Sequence, residues 1–195
     1  MNRNLTSRQT HGLKTKNSIY LAAVELMKTQ GFHNVTIGEI SKKAGVSVGA
    51  FYHYFKSKND ILAEIYHRAN EFFEAQADRL LAEPDISAAI ISYFNLYAKQ
   101  NVSTGIDFTK QLYSTGNKLF LNTDRPMLKI LYEIIRRGQE SGKLFSDQSA
   151  DLIADDLIVA ARGMVFDWCL HDGEYDLELR MTQYFSHVIA YIVRS

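Results

Sequence analysis

The side chains best suited to bind an anion lie between Thr36 and Lys58, in the run TIGEISKKAGVSVGAFYHYFKSK. Ser47, Tyr52 and His53 supply hydroxyl and imidazole groups within this run, at or near predicted helix N-termini. Unpaired backbone N–H groups and the helix dipole favour a negative group such as phosphate at these ends. The residue types therefore predict a phosphate-binding surface.

Two short helices joined by a tight turn are predicted to position these groups. Thr36 can cap the first helix, and Glu39 can bond back to it. Val35 and Ile40 occupy the apolar positions on either side of the cap. Gly45 is predicted to end this helix, because glycine adopts the left-handed conformation at little cost.

A second and a third helix follow directly. Ser47 is predicted to cap a helix over Val48–Tyr52, and Ser57 to cap the next one with Asp60 at the reciprocal position. Apolar residues at helical spacing close a small core between these helices. The arrangement is helix-turn-helix geometry, in which the second helix meets a DNA major groove with its end.

The pattern G-F-x-x-x-T-I-x-E-I-x-x-x-A-G-V-S-x-G-x-F-Y-x-Y-F-x-S-K runs from Gly31 to Lys58. It resembles the DNA-binding segment of TetR-type bacterial transcription regulators, and the resemblance covers residues 13–60. It implies an N-terminal DNA-binding domain, a homodimer on a palindromic operator, repression as the usual mode, and a small-molecule inducer bound in the rest of the chain.

The resemblance also implies roles for single residues. Four are similar to the phosphate contacts of the family: Thr36, Ser47, Tyr52 and Lys58. Four occupy the positions nearest to base edges: Val48, Gly49, Ala50 and His53. Structural roles stay open beside these, because Ser47 is also a helix cap and the ring of Tyr52 is suited to packing.

Charge is distributed unevenly along a chain whose net charge is zero. Residues 1–60 carry nine Lys or Arg against three acids, a net charge of +6, and the remaining 135 residues carry 13 basic and 19 acidic groups, a net charge of −6. A basic first part and an acidic second part favour nucleic acid as the partner of the first part.

Other features narrow the class of protein. No stretch approaches the ~20 continuous apolar residues of a membrane span, and the polar N-terminus lacks the apolar region of a secretory signal. Cys169 is the single cysteine, which excludes an intrachain disulfide and fits the cytoplasm. We find no G-x-G-x-x-G, Walker or H-E-x-x-H motif and no metal-ligand spacing, so no enzyme activity, cofactor or metal is expected.

Helical periodicity with only two prolines predicts an all-α fold of about nine helices. Residues 1–57 are predicted as a three-helix DNA-binding domain, with 1–12 as a flexible arm. Residues 58–195 are predicted as a helical domain for ligand binding and dimerisation. One continuous helix over Lys58–Leu81 is expected to join the two, and another over Ile106–Phe120 is interrupted by Gly116.

The last two predicted helices carry wide apolar faces, which two subunits could combine into a four-helix interface. The interface candidates are Leu157, Ala161, Met164, Met181, Phe185 and Val188. Aromatic residues are dense in the second part, and a lined cavity between helices is a usual small-molecule site. The pocket candidates are Phe94, Tyr97, Phe108, Tyr113, Trp168 and Cys169. For both sets, intramolecular core is the alternative explanation.

The sequence thus predicts a ligand-responsive DNA-binding regulator, a repressor released from its operator by a small molecule of unknown identity. The alternative is a helical protein-interaction module whose helix-turn-helix no longer binds DNA. An enzyme is disfavoured, because the one suggestive segment, G-V-S-V-G around Ser47, lacks the preceding strand that a nucleophile elbow needs.

Overall fold

A computed structural model of the chain describes residues 6–122 and 124–193, and within them it is all-helical, as predicted. A single antiparallel bridge, Leu144 to Val193, is the one β-type pairing among these residues. The ten α-helices and one 3-10 turn are α1 Ser7–Gln30, α2 Ile37–Ala44, α3 Val48–Tyr54, α4 Lys58–Glu74, α5 Ala77–Ala82, α6 Ile86–Thr104, α7 Ile106–Leu112, the 3-10 turn Leu119–Leu121, α8 Pro126–Glu140, α9 Ala150–Leu170 and α10 Leu177–Ile192.

The chain divides into two compact units, the head unit Met1–Ile65 and the body unit Tyr66–Ser195. The division falls inside α4, later than the boundary after residue 57 that the sequence predicts. In the head unit α2 packs against both α1 and α3. Ile19, Ile40 and Phe51 have no exposed surface there, so the apolar spacing of the motif does close a core.

Helix α1 begins earlier than predicted. Thr6 caps it with a full capping box, in which the Gln9 N–H donates to the Thr6 hydroxyl and the Thr6 N–H donates to the Gln9 side chain. Residues 7–12 are therefore helical, and the prediction of a flexible arm is wrong for them. The rest of the predicted arm, residues 1–5, lies outside the described residues.

The predicted helix Lys58–Leu81 is two helices. The N–H of Gln76 donates to the carbonyl of Phe73 at 3.0 Å, which tightens the chain after α4 and lets α5 begin at Ala77. Phe73 and Leu80 are both fully buried on the two sides of this turn. The break occurs without glycine or proline. The free energy gained by burying both side chains in the body core exceeds the cost of interrupting the helix.

The predicted helix Ile106–Phe120 ends at Leu112, before Gly116 is reached. The chain then turns through a 3-10 segment, and the Tyr66 hydroxyl donates to the Leu119 carbonyl at 2.6 Å. This hydrogen bond joins residues 53 positions apart in the sequence, so helical periodicity could not predict it. It holds the aromatic residue Phe120 beside α4, with the Tyr66 and Phe120 ring centroids 5.9 Å apart.

The core of the body unit is built around α6, which packs against α8, α9 and α10. Tyr93 and Phe94 of α6 are fully buried, and the Phe94 ring stacks on Phe185 of α10 with centroids 3.6 Å apart. Within the described part of the chain, no helix has the length and apolar character needed to cross a bilayer.

Candidate nucleic-acid interface

The capping signals that the sequence predicts around α2 are present. The Glu39 N–H donates to the Thr36 hydroxyl at 3.2 Å, and the Glu39 carboxylate accepts from the Thr36 N–H and hydroxyl at 2.8 and 2.7 Å. These bonds hold the pKa of Glu39 below its ordinary value. Gly45 ends α2 in the left-handed conformation, with φ 68°. The Thr36 hydroxyl hydrogen is thus used inside the cap and does not donate to a phosphate.

Helix α3 presents its first turns to solvent. The Ser47 hydroxyl accepts from the Ala50 N–H at 3.1 Å, which leaves the hydroxyl hydrogen of Ser47 available for another acceptor. Val48, Gly49, Tyr52 and His53 are exposed and Ala50 is half-buried. Phe51, on the opposite side of α3, is fully buried and anchors the helix to the head core. Six DNA contacts are predicted on α3 and its cap. Five of them, including the cap residue Ser47, are exposed, and Ala50 is the half-buried one.

A second group of head residues lines one open cleft beside α3. Thr36, Tyr52 and Lys58, three of the predicted phosphate contacts, belong to it. The other lining residues are His33, Val35, Ile37, Lys56, Ser57 and Asn59. Lys56 is not among the phosphate contacts predicted from the sequence, although its charge and its place between α3 and α4 could have indicated that role.

Lys58 has a different role from the one predicted. Its ammonium group donates to the carbonyl oxygens of Phe32 at 2.8 Å, His33 at 3.1 Å and Val35 at 2.8 Å. An ammonium group has three donors, so all of them are used. Lys58 therefore fastens the loop between α1 and α2 to the start of α4, and the structure corrects its assignment as a phosphate contact.

We expect Lys58→Met to lower the free energy of unfolding by about 1–3 kcal/mol, because three half-buried carbonyls lose a charged donor while the apolar stem is kept. Lys42→Met is the matched control, since Lys42 is exposed and forms no ion pair with any residue the structure describes. That control should stay within roughly 0.5 kcal/mol of the parent protein. Urea denaturation followed by circular dichroism measures both, and equal stabilities would contradict the role given to Lys58.

The remaining basic groups of the head divide into paired and unpaired ones. Lys16 pairs with Glu64 at 2.6 Å, and Lys43 pairs with Glu25 at 2.8 Å. Lys42, in the last turn of α2, and Lys56, after α3, are exposed and lack an ion-pair partner within residues 6–122 and 124–193. Lys14 of α1 is also exposed and forms no ion pair with the described residues, but Lys42 and Lys56 are closer to α3 along the chain, one in the preceding helix and one directly after α3.

In the body unit, two of the six predicted pocket residues meet directly. The hydroxyl groups of Tyr97 and Tyr113 lie 2.5 Å apart, and the Tyr113 ring lies 4.8 Å from that of Phe120. Burial raises the pKa of Tyr113 well above its ordinary value, so its hydroxyl stays neutral near pH 7.

The other four pocket candidates serve the core. Phe94 and Phe108 are fully buried. The Trp168 indole N–H donates to the Tyr175 carbonyl at 3.0 Å. Cys169 is buried, and burial raises the pKa of its thiol to about 11, which leaves it an unreactive neutral thiol.

Comparison with known proteins supports the helix-turn-helix assignment. Residues 19–65 match the family model described as bacterial regulatory proteins, tetR family. The head unit thus carries the DNA-binding segment of the TetR family. The match spans the second half of α1, all of α2 and α3, and the first turns of α4, and it therefore includes the helix that carries the exposed surface described above.

Curated relatives of this chain extend the match into the body unit. The chain is 27% identical over 166 residues to the fatty acid metabolism regulator protein of Bacillus subtilis (strain 168), covering 80% of this chain and 84% of the relative. It is 28% identical over 155 residues to the uncharacterized HTH-type transcriptional regulator YdgC of the same strain, covering 77% and 78%. The chain is thus a transcriptional regulator, and its relatives are not enzymes.

A solved structure shares the fold. The transcriptional regulator FadR from Bacillus subtilis, in complex with stearoyl-CoA, superposes with a TM-score of 0.72 at 21% identity, covering 88% of this chain and 96% of that chain. The likeness extends the TetR-type fold over the body unit. Among the described residues, no group of three or more His, Cys, Asp or Glu is placed to hold a metal ion.

The predicted interface residues lie mostly in the core of the body unit. Leu157, Ala161, Met181 and Phe185 are buried in the core of the body unit, and Met164 and Val188 are half-buried against it. At these six positions the apolar faces that suggested an interface instead pack α9 and α10 into the core of one chain. A different face of the same helices is exposed, and it carries the proposal of a dimer below.

Proposed function

We propose that this regulator is a homodimeric repressor, which binds a palindromic operator through its two α3 helices and leaves it when a small molecule binds in the body unit. The observation that carries the proposal is the exposed surface of α3, where Val48, Gly49, Tyr52 and His53 face solvent over a firmly capped and buried base. A surface kept apolar and uncharged at its centre, with lysines beside it, suits a DNA groove flanked by phosphates.

Each group has a definite task in this proposal. Ser47 and Tyr52 donate hydroxyl hydrogens to phosphate oxygens, and Lys42 and Lys56 neutralise phosphates on either side. Val48 contacts thymine methyl groups, Gly49 lets the backbone approach the groove, and His53 donates to a base edge. One α3 reads only a few base pairs, so two copies on a two-fold site supply the affinity that one lacks.

The dimer is proposed to form through an exposed apolar stripe on α9. Val159 and Phe166 are one heptad apart at its centre, exposed by 62% and 47%, and Gly163 between them leaves open space. The stripe consists of Leu152, Val159, Gly163, Phe166 and Leu170, and Asp156 lies between its first two members. Exposed apolar patches of this kind mark association sites. Leu179, Tyr184 and Tyr191 add exposed apolar surface on α10.

Ligand control is proposed to act through α4, which contributes Lys58–Ile65 to the head unit and Tyr66–Glu74 to the body unit. A small molecule that binds near the second part of α4 can favour a state in which the two α3 helices no longer match a spacing of ~34 Å. It shifts this equilibrium only by its difference in affinity between the two states. A regulator of this kind works in the cytoplasm, where operator DNA is found.

Selection of a random duplex pool by the purified protein, followed by binding to the enriched sequence at several salt concentrations, tests the proposal. We expect a palindrome. We expect the double variant Lys42→Ala, Lys56→Ala to reduce the slope of log affinity against log salt by about 3–4, because four phosphate contacts are lost per dimer. Lys99→Ala, an exposed lysine of α6, is the control and should leave the slope unchanged.

Two results would overturn the proposal. Failure to enrich any duplex would favour the alternative of a protein-interaction module. A salt slope that the lysine double variant leaves intact, but that Lys58→Met reduces, would place the phosphate contacts elsewhere on the head unit.

A further inference from the structure

The body unit contains an arginine buried without a negative partner. Arg125, the residue before α8, is only 3% exposed. Its Nε donates to the side-chain oxygen of Asn70 at 3.2 Å, and its guanidinium carbon lies 4.1 Å from the centre of the Tyr66 ring. Its Nη1 is buried and has no hydrogen-bond partner.

A second arginine lies against the same aromatic ring. The guanidinium carbons of Arg125 and Arg162 lie 5.6 and 5.3 Å from the centroid of Phe120. The Nε of Arg162 is likewise buried and without a partner. Two guanidinium groups thus flank one ring, and each retains a donor that nothing in the described part of the chain satisfies.

Carboxylates are missing from this cluster. Neither arginine forms an ion pair with any residue the structure describes, and the hydrogen bond of the Arg125 guanidinium goes to the uncharged side chain of Asn70. Burial and the repulsion from Arg162 lower the pKa of Arg125, although an arginine stays charged. Unpaired buried charge is costly, and proteins normally pair it with a carboxylate or a bound anion.

We propose that Arg125 and Arg162 bind the anionic head of an amphipathic effector, a carboxylate or phosphate attached to an apolar body. The head would accept from the free donors of the two guanidinium groups and from the Tyr97–Tyr113 hydroxyl pair. Guanidinium groups suit such oxyanions because their fixed donors match two oxygens at once. The apolar body would lie against Phe120 and the neighbouring tyrosine rings.

This inference rests on the proposed function, because it names the chemical class of the effector. The structural neighbour FadR is complexed with stearoyl-CoA, which carries its negative charge on the phosphates of CoA and has an uncharged acyl chain. In this chain Arg125 is buried and Arg162 is half-buried with a buried Nε, and both lie beside an aromatic ring, which favours a ligand whose charged end is buried. An uncharged acyl chain at this place would leave both donors unsatisfied.

The cluster also provides a route from the effector to α4. Tyr66 and Asn70 lie on α4, one turn apart, and both contact the Arg125 guanidinium. An anion that draws the guanidinium toward itself changes both contacts together. Effector binding would therefore act on the helix whose first turn holds Lys58.

Isothermal calorimetry with matched pairs of probes tests the inference on the full chain. The pairs are octanoate with octanamide, and benzoate with benzamide, together with octyl phosphate and inorganic phosphate. We expect at least one amphipathic anion to bind ten-fold or more tightly than its neutral amide. Octanoate against octyl phosphate distinguishes a carboxylate head from a phosphate head.

Arg162→Met is the decisive variant, because it keeps the apolar stem and removes one charge. We expect it to weaken binding of the anion ten-fold or more, while the melting temperature of the ligand-free protein stays equal or rises. A retained melting temperature distinguishes loss of a binding group from loss of the fold. Arg180→Met, at an exposed arginine of α10, is the control and should leave anion binding unchanged.

Several results would overturn the inference. They are amides binding as tightly as the acids, inorganic phosphate binding as tightly as the amphipathic anions, no probe binding, or Arg162→Met binding the anion normally. Operator binding without ligand, measured on the same protein, separates the two proposals. DNA binding without anion binding removes only this inference, and anion binding without DNA binding removes only the proposed repressor function.

Discussion

Val159→Asp is expected to convert the protein to a monomer and to weaken operator binding by more than ~100-fold, or about 2.7 kcal/mol. Val159 lies at the centre of the exposed α9 stripe, so the new carboxylate would be buried in the proposed interface without a partner. It would also lie three residues from Asp156, which adds repulsion between like charges. Light scattering after gel filtration gives the mass, and fluorescence anisotropy gives the affinity for DNA.

Val102→Asp is the matched control for this experiment. Val102 lies on α6 of the same unit, is 41% exposed, and is outside the stripe. It should leave both mass and operator affinity unchanged. A Val159→Asp protein that stays dimeric, with a parent-like circular dichroism spectrum, would show that subunits associate through another surface.

Gly138→Ala is expected to destabilise the body unit by about 1–3 kcal/mol, although alanine is normally the better helix former. A Cβ at this position of α8 would lie 2.6 Å from Cδ1 of Leu144 and 2.9 Å from Cγ2 of Ile86. Both neighbours are buried, so neither has space to move away. The amides of Lys143 and Leu144 also donate to the Gly138 carbonyl, which holds this crossing together.

Thermal unfolding measures this effect, which corresponds to a fall of roughly 2–4 °C for each kcal/mol in a chain of this size. Gly38→Ala is the control, because a methyl group on α2 would meet the Thr36 hydroxyl oxygen at an ordinary 3.9 Å. That variant should be neutral or slightly stabilising. A Gly138→Ala protein as stable as its control would mean that Leu144 repacks freely.

The local features of the head unit were determined by the sequence alone. Thr36 with Glu39, Gly45 and Ser47 act over three or four residues, so their spacing was sufficient to predict the start and end of α2 and the start of α3. The family pattern rests on these same positions. Thr6 and Gln9 have the same three-residue spacing as Thr36 and Glu39, so the cap at the start of α1 is also determined by the local sequence.

Tertiary structure decided the task of side chains whose partners are distant in sequence. Lys58 looked like any exposed lysine, and only folding brings its ammonium group to carbonyls 23 to 26 residues upstream. Arg125 and Arg136 are likewise identical in type. One is buried against Tyr66, and the other is exposed and paired with Glu133 and Glu140.

The apolar faces of α9 and α10 follow the same division. Periodicity correctly predicted that both helices are amphipathic, but Leu157 and Val159 have the same apolar character, and only one of them is buried. These two helices carry apolar residues on more than one side, and the side that faces the core depends on which helices surround them. The sequence by itself determined the helices, their caps and the family, because these depend on neighbours along the chain. Tertiary packing decided which arginines lie beside Phe120, the structural role of Lys58 and which apolar residues of α9 are exposed, because these depend on neighbours in space.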